Sequence, residues 1–282
     1  MAYLPLALAS PTVTAAQSDP ASQAAIVNWP GHGGDPDESG YSRLTEITST
    51  NVGRLGLAWS LDLEGEQTLE ATPLAIDGVL YFTGSFADIY AVDAVTGRLL
   101  WKHAAEVWKH NPAKMKFIFP LNRGCAYDRG RIFSGTTDGR LLALDAKTGK
   151  LIWSVETVAR DDRRTITGAP RTFNGKVIVG NGGADLGSRG YVTAYDQATG
   201  KQLWRFYTAP GSPEENKGDP AMERAAATWS GEYWKTGTGG TVWDGITVDA
   251  ELDRVYMCST ARPENWSPPR RPARSPGRSA ST

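Results

Sequence analysis

The sequence predicts an all-β chain of tandem four-stranded units, a β-propeller, on three observations. First, Ala-x-Asp-x-x-Thr-Gly-x-x-x-Trp occurs three times, ending at Trp101, Trp153 and Trp204, at intervals of 52 and 51 residues. A recurrence of that period marks a repeat architecture. Second, each copy follows a Gly-flanked apolar run: Val79-Leu80-Tyr81-Phe82-Thr83, Arg131-Ile132-Phe133-Ser134 and Lys176-Val177-Ile178-Val179. Third, a unit of about 40–50 residues holding four short strands has the size of one propeller blade. An open stack of hairpins is the competing arrangement, and four strands per unit fit it less well.

Within each copy, Asp and Thr bond to turn backbone, Gly supplies the positive φ, and the flanking runs form a hairpin. The tryptophan is expected between neighbouring blades, where its large apolar area contributes most. Blade one is expected over residues 68–102. Blade two covers 122–156, after an insertion at 103–120, and blade three covers 165–207. A Pro/Gly loop follows at 210–220, and residues 219–229 carry the one helix-like pattern. Blade four opens at residue 236, and its second strand is read over 254–258, after which the pattern stops. Upstream, residues 18–45 read as an extended arm. Leu55-Gly56-Leu57-Ala58-Trp59-Ser60-Leu61 reads as a lone strand of the kind that completes a last blade.

The chain has 282 residues and a formal net charge of −1, which implies no attraction to nucleic acid or membrane surfaces. No apolar run approaches the ~20 residues of a membrane span. Cys125 and Cys258 form neither a metal motif nor a disulfide framework. Residues 1–27 are read as an export-signal remnant or a disordered N-terminus, and 28–258 as a partial propeller. Residues 259–282 are read as a disordered Pro/Arg/Ser-rich tail, or as translation out of frame, because they interrupt a blade midway.

In a propeller, functional groups sit on inner strands and on the loops at one end of the channel. The residues preceding each Gly-flanked strand are therefore the candidates. Glu70 is a carboxylate beside a strand start. Arg123, after an apolar run, suits an anionic or carbonyl-rich ligand. Thr167 lies in Ile166-Thr167-Gly168-Ala169-Pro170. The small residues Gly182, Gly183 and Ala184 let backbone approach a ligand closely, and Asp185 is an oxygen donor fit for a hard cation. Trp243, after Gly239-Gly240-Thr241, is either a platform for a flat ring or a core residue.

These stretches resemble the N-terminal half of the quinoprotein alcohol dehydrogenases, the methanol and ethanol dehydrogenase family that uses pyrroloquinoline quinone (PQQ). The most specific are Asn122-Arg123-Gly124, residues 166–170, residues 183–191 and Gly239-Gly240-Thr241-Val242-Trp243. The resemblance implies an eight-bladed propeller, here truncated to about four blades. It implies PQQ beside Ca²⁺ or a lanthanide, an alcohol substrate, a cytochrome c-type electron acceptor and a periplasmic setting. It also implies that Glu70 and Arg123 bond PQQ's carboxylates and carbonyls. Thr167, Thr241 and the Gly182, Gly183 and Ala184 backbone would line the site, with Trp243 as the stacking floor.

Asp185 stands where the family usually has a Glu metal ligand. The family's adjacent cysteine pair is absent, with residues 110–116 in its place. Its asparagine metal ligand is missing from Cys258-Ser259-Thr260-Ala261, and no residue corresponds to its catalytic aspartate. The expectation is a fragment that does not catalyse alone. The competing function is a non-enzymatic propeller scaffold of the outer-membrane assembly type, which has no need for Glu70, Arg123, Asp185 and Trp243 to converge.

Overall fold

The computed structural model describes residues 28–34, 38–116 and 119–261. Blade one is β1 (Leu74–Ile76), β2 (Val79–Thr83), β3 (Ile89–Asp93) and β4 (Leu99–His103). Blade two is β5 (Ala126–Asp128), β6 (Arg131–Gly135), β7 (Arg140–Asp145) and β8 (Leu151–Glu156). Blade three is β9 (Arg171–Phe173), β10 (Lys176–Gly180), β11 (Tyr191–Asp196) and β12 (Gln202–Tyr207). Each is a four-stranded antiparallel meander in chain order, as the repeat predicts.

Alternation along each strand sends side chains to opposite blade faces. In β6, Ile132 joins a core with Leu74, Ile76 and Ile89 of blade one. Its neighbour Phe133 joins a core with Val177, Val179 and Tyr195 of blade three. In β10, Ile178 turns the other way, onto Val242 and Ile246 of blade four. The middle strands are therefore apolar on both faces, whereas the outer β8 is largely exposed.

The indoles join the blades. Trp101 Nε1 donates to the Ala146 carbonyl (3.0 Å) and Trp153 Nε1 to that of Gln197 (3.1 Å). In both cases the acceptor follows the turn aspartate of the next blade. A Cβ added at Gly149 would lie 2.6 Å from the Trp101 ring, and at Gly200 2.9 Å from that of Trp153. Both glycines have positive φ, so the turn requires glycine for its own shape and for the indole above it. The turn is tied by its aspartate: Asp145 Oδ1 accepts from Thr148 N (2.8 Å) and Thr148 Oγ1 (2.7 Å). These bonds, the hydroxyl foremost, hold the carboxyl below its ordinary pKa, as their counterparts do at Asp93 and Asp196.

Trp59 docks on blade one in the same way, with Nε1 to Ala94 O at 3.0 Å and its ring over Gly97. The expected strand around it does not form. Residues 55–61 lack strand structure and Leu57 is 86% exposed, because no other described strand pairs with this backbone.

Among the described residues, blade four is one long, broken hairpin. β13 (Gly239–Thr241) pairs with β16 (Thr260–Ala261), and β14 (Ile246–Asp249) with β15 (Arg254–Met257). The expected boundary at 258 falls short, because β16 still supplies hydrogen-bond partners to β13. Residues 1–27 and 262–282, including nearly all of the expected tail, lie outside the described residues.

The extended arm pairs Trp29 with Ala75 beside β1, and Glu38 bonds Arg171 in β9. The 103–120 insertion contains α1 (Val107–His110). The expected loop at 210–220 contains α2 (Pro213–Asn216), started by a Ser212–Glu215 capping box. α3 (Pro220–Ala226) follows, with Asp219 as its cap. No described helix is long and apolar enough to cross a membrane.

Two outcomes are expected. Trp101→Ala costs about 3 kcal/mol of unfolding free energy in urea titrations. Trp204→Ala, at a residue 37% exposed, costs about 1 kcal/mol or less. Both cysteines are free; burial pushes the Cys125 thiol up to about 12, while Cys258 is exposed. One thiol per chain therefore reacts with a disulfide reagent at pH 8 in the native protein, and two react after denaturation. Two fast-reacting thiols in the native state would contradict this placement.

Candidate functional site

The segments leading into β1, β5 and β9 run side by side. Thr72 N donates to Arg123 O (3.3 Å), and Arg123 N donates to Thr167 O (2.8 Å). These bonds cross from blade to blade and fix where the three candidate positions lie. Asn122 anchors the same crossing. Its Oδ1 accepts from Thr83 Oγ1 (2.7 Å) and Gly124 N (3.0 Å), and its Nδ2 donates to Gly135 O (2.8 Å).

Blade four closes the fourth side. β13 and β14 are separated by four residues, while only Cys258 and Ser259 separate β15 from β16. The surplus makes a bulge, Val242-Trp243-Asp244-Gly245, that re-aims Trp243. Glycines of blade three let this bulge approach. A Cβ at Gly168 would lie 2.2 Å from Trp243 O, and one at Gly180 2.0 Å from Val242 O.

The half-open cavity is about 360 Å³ and is lined by Arg123, Thr167, Gly182, Gly183, Ala184, Asp185, Thr241 and Trp243. Eight of the nine predicted positions therefore face one space. The ninth, Glu70, is not in the lining and approaches the site through Arg123, with Oε2 3.9 Å from Nη2. Such a half-exposed pair orients the guanidinium more than it stabilises the fold. Arg123 Nη1 donates to Thr167 Oγ1 (2.9 Å), and its Cζ lies 4.5 Å from the centre of the Trp243 ring. One face of the indole is thus covered by a cation.

Thr137 and Thr165, with the apolar Phe119, Leu121 and Leu186, complete the wall and were not among the predicted positions. The repeat carried a signal for Thr137. It follows β6 just as Gly182 follows β10, two residues past the terminal glycine. Thr165 is tied to the Gly182 loop, whose N–H donates to Thr165 O at 2.8 Å.

Two features fit a polar, flat ligand. Thr137 and Thr241 line the cavity, and their hydroxyls are buried with no hydrogen-bond partner. Such groups cost about 1–3 kcal/mol each unless a ligand or water satisfies them. The Trp243 ring and the small residues Gly182, Gly183 and Ala184 belong to the same wall, which suits a planar ring system. The fit to a metal ion is incomplete. Asp185 is exposed on the 3₁₀ turn Ala184–Leu186, and among the described residues no group of three acid, His or Cys side chains gathers. One carboxylate falls short of the 6–8 oxygens a Ca²⁺ ion takes.

The seam with blade four should be intolerant. Gly180→Ala is expected to cost at least about 1–3 kcal/mol and to shift Trp243 emission, whereas Gly175→Ala, where an added Cβ meets nothing, costs only its backbone strain. Equal losses in urea titrations would show that the seam does not position Trp243.

The family model for the PQQ glucose/ethanol/alcohol dehydrogenase β-propeller domain matches residues 29–276. The quinohemoprotein alcohol dehydrogenase ADH-IIG of Pseudomonas putida is 50% identical over 232 residues, 82% of this chain and 32% of its own length. A solved structure of ADHIIG from P. putida HK5 superposes with a TM-score of 0.79 at 48% identity, covering 84% of this chain and 35% of that one. A europium-containing methanol dehydrogenase gives 0.74 at 31% identity, with 85% and 44% covered. The 1-butanol dehydrogenase (cytochrome c) of Thauera butanivorans is 41% identical over 256 residues, 90% of this chain and 37% of its own length. The chain thus spans about a third of the length of these curated relatives. With the family model matched over most of its residues and the blades superposing on those of a solved member, this chain belongs to the PQQ-dependent alcohol dehydrogenase family.

Proposed function

We propose that this chain forms part of the PQQ cradle of an alcohol dehydrogenase that oxidises alcohols to aldehydes. The observation that carries the reading is the convergence of Arg123, Thr167, Thr241 and Trp243 with the Gly182–Asp185 turn on one 360 Å³ cavity. A scaffold propeller gives no reason for that convergence.

Each residue has a role in holding the quinone. Arg123, oriented by Thr167 and Glu70, bonds its carboxylates or carbonyls. Thr241 and Thr137 donate their unpartnered hydroxyls. Trp243 stacks on the ring system, and the Gly182, Gly183 and Ala184 backbone lies along its edge. When bound, PQQ supplies the electron-pair acceptor for alcohol oxidation, while the protein binds and orients. Asp185 would contribute one oxygen to a Ca²⁺ or lanthanide site, the rest of whose coordination shell the described acidic side chains do not supply. A europium-containing relative favours the lanthanide option. The electron acceptor is a cytochrome c-type protein, in keeping with the name of the butanol dehydrogenase relative, and the setting is periplasmic.

Asp185, assigned here to the metal, is the one acidic, histidine or cysteine side chain among the described residues of the cavity wall, so no other described side chain there is left to take the alcohol proton. The expected outcome is binding without turnover. PQQ quenches tryptophan fluorescence saturably, and Thr241→Val weakens it by roughly 5–10-fold, the loss of one buried hydrogen bond. Alcohol-dependent dye reduction with PQQ and Ca²⁺ stays at background. Unsaturable quenching, or equal quenching in Thr241→Val and Trp243→Ala, would sink the cradle assignment.

A further inference from the structure

A second cavity, of about 230 Å³, lies across the Ala184–Leu186 turn from the first, and Leu186 lines both. At ~30 Å³ per water, it has room for a small ion and a few waters. Its charged lining is three arginines, Arg163, Arg164 and Arg189, against two carboxylates, Asp162 and Glu215.

The cations are not equally committed. Arg164 is neutralised by Asp162: its Nε donates to the two carboxylate oxygens at 2.9 and 2.8 Å, and its Nη2 bonds the same group. Arg189 is held differently. Its guanidinium lies 3.9 Å from the centre of the Tyr207 ring, and its Nε donates to Ala209 O (2.8 Å).

The nearest carboxylate to Arg189, Glu215, stands 3.6 Å from Nη1. It is more than half exposed, and its Oε2 accepts from Ser212 N in the cap of α2. Arg189 Nη2 is buried with no partner. Burial pulls the Arg189 pKa down, with Glu215 opposing. A guanidinium does not shed its proton in a protein, so an incompletely paired one favours an anion from solvent.

We propose that this second cavity binds a small oxyanion, a carboxylate or a phosphate, through Arg189. The site does not depend on the PQQ reading, because its residues other than Leu186 are outside the quinone cavity.

Calorimetric titration of the whole chain tests it, with inorganic phosphate in one arm and acetate in the other, at ionic strength held constant with chloride. Saturable binding at one site is expected in at least one arm, and the tighter arm identifies the ligand class. Arg189→Lys keeps the charge but loses the planar fork, and should weaken binding about tenfold. Glu215→Gln is the fold-safe variant, since glutamine still accepts from Ser212 N in a capping box. Removing that competing negative charge should tighten binding about fivefold. No saturable heat in wild type and Glu215→Gln alike, or one affinity shared by all three proteins, would overturn the proposal. A failure here leaves PQQ quenching through Thr241 unaffected, so the two readings fail separately.

Discussion

An indole resting on the backbone of a Thr-Gly turn holds each blade to the next. The ring needs a residue without Cβ beneath it, and its N–H needs the carbonyl that follows the turn aspartate. Trp59, Trp101 and Trp153 meet both conditions, on Gly97, Gly149 and Gly200. Because the same contact recurs, successive blades stand in the same relation. The segments entering their inner strands are thereby brought alongside one another, close enough for Thr72, Arg123 and Thr167 to share backbone hydrogen bonds. The site inherits its geometry from that repetition.

Blade four departs from the pattern, and the departure shapes the cavity. Its inner strand carries two surplus residues, and the bulge that absorbs them points Trp243 at Arg123. Gly168 and Gly180 make room, since their positions face carbonyl oxygens at distances no side chain tolerates. Arg123 is therefore surrounded by a hydroxyl, a carboxylate and an indole, while Thr137 and Thr241 keep unpartnered hydroxyls. Buried polar groups left open in this way are costly to a fold, which is why they are read as places for a ligand.

Much of this was legible in the residues. The three strand sets and their turns follow from short-range patterns. Eight of nine candidate positions line one cavity: Arg123 and Thr167 lie on the segments entering β5 and β9, Gly182–Asp185 follows β10, and Thr241 and Trp243 belong to blade four. Glu70 stands one residue removed, since its side chain reaches Arg123 and not the cavity. Leu55 to Leu61 read as a strand but has no described strand to pair with, and a ladder is not a property of one segment. Asp185 carries the right chemistry for a cation but is the only described carboxylate in the wall.

What the sequence by itself determined is local. Asp, Thr and Gly within seven residues close each turn, alternation sorts side chains to the two faces of a blade, and the spacing of tryptophans sets the repeat. These depend on contacts a few residues apart, so composition and order suffice to read them. The tertiary structure alone decided the stacking of Arg123 on Trp243, the isolation of the Thr137 and Thr241 hydroxyls, and the half-paired Arg189 beside Tyr207. Those depend on how one blade is rotated against another and on where a bulge turns a strand. Such orientations join residues far apart in the chain, and no local pattern records them.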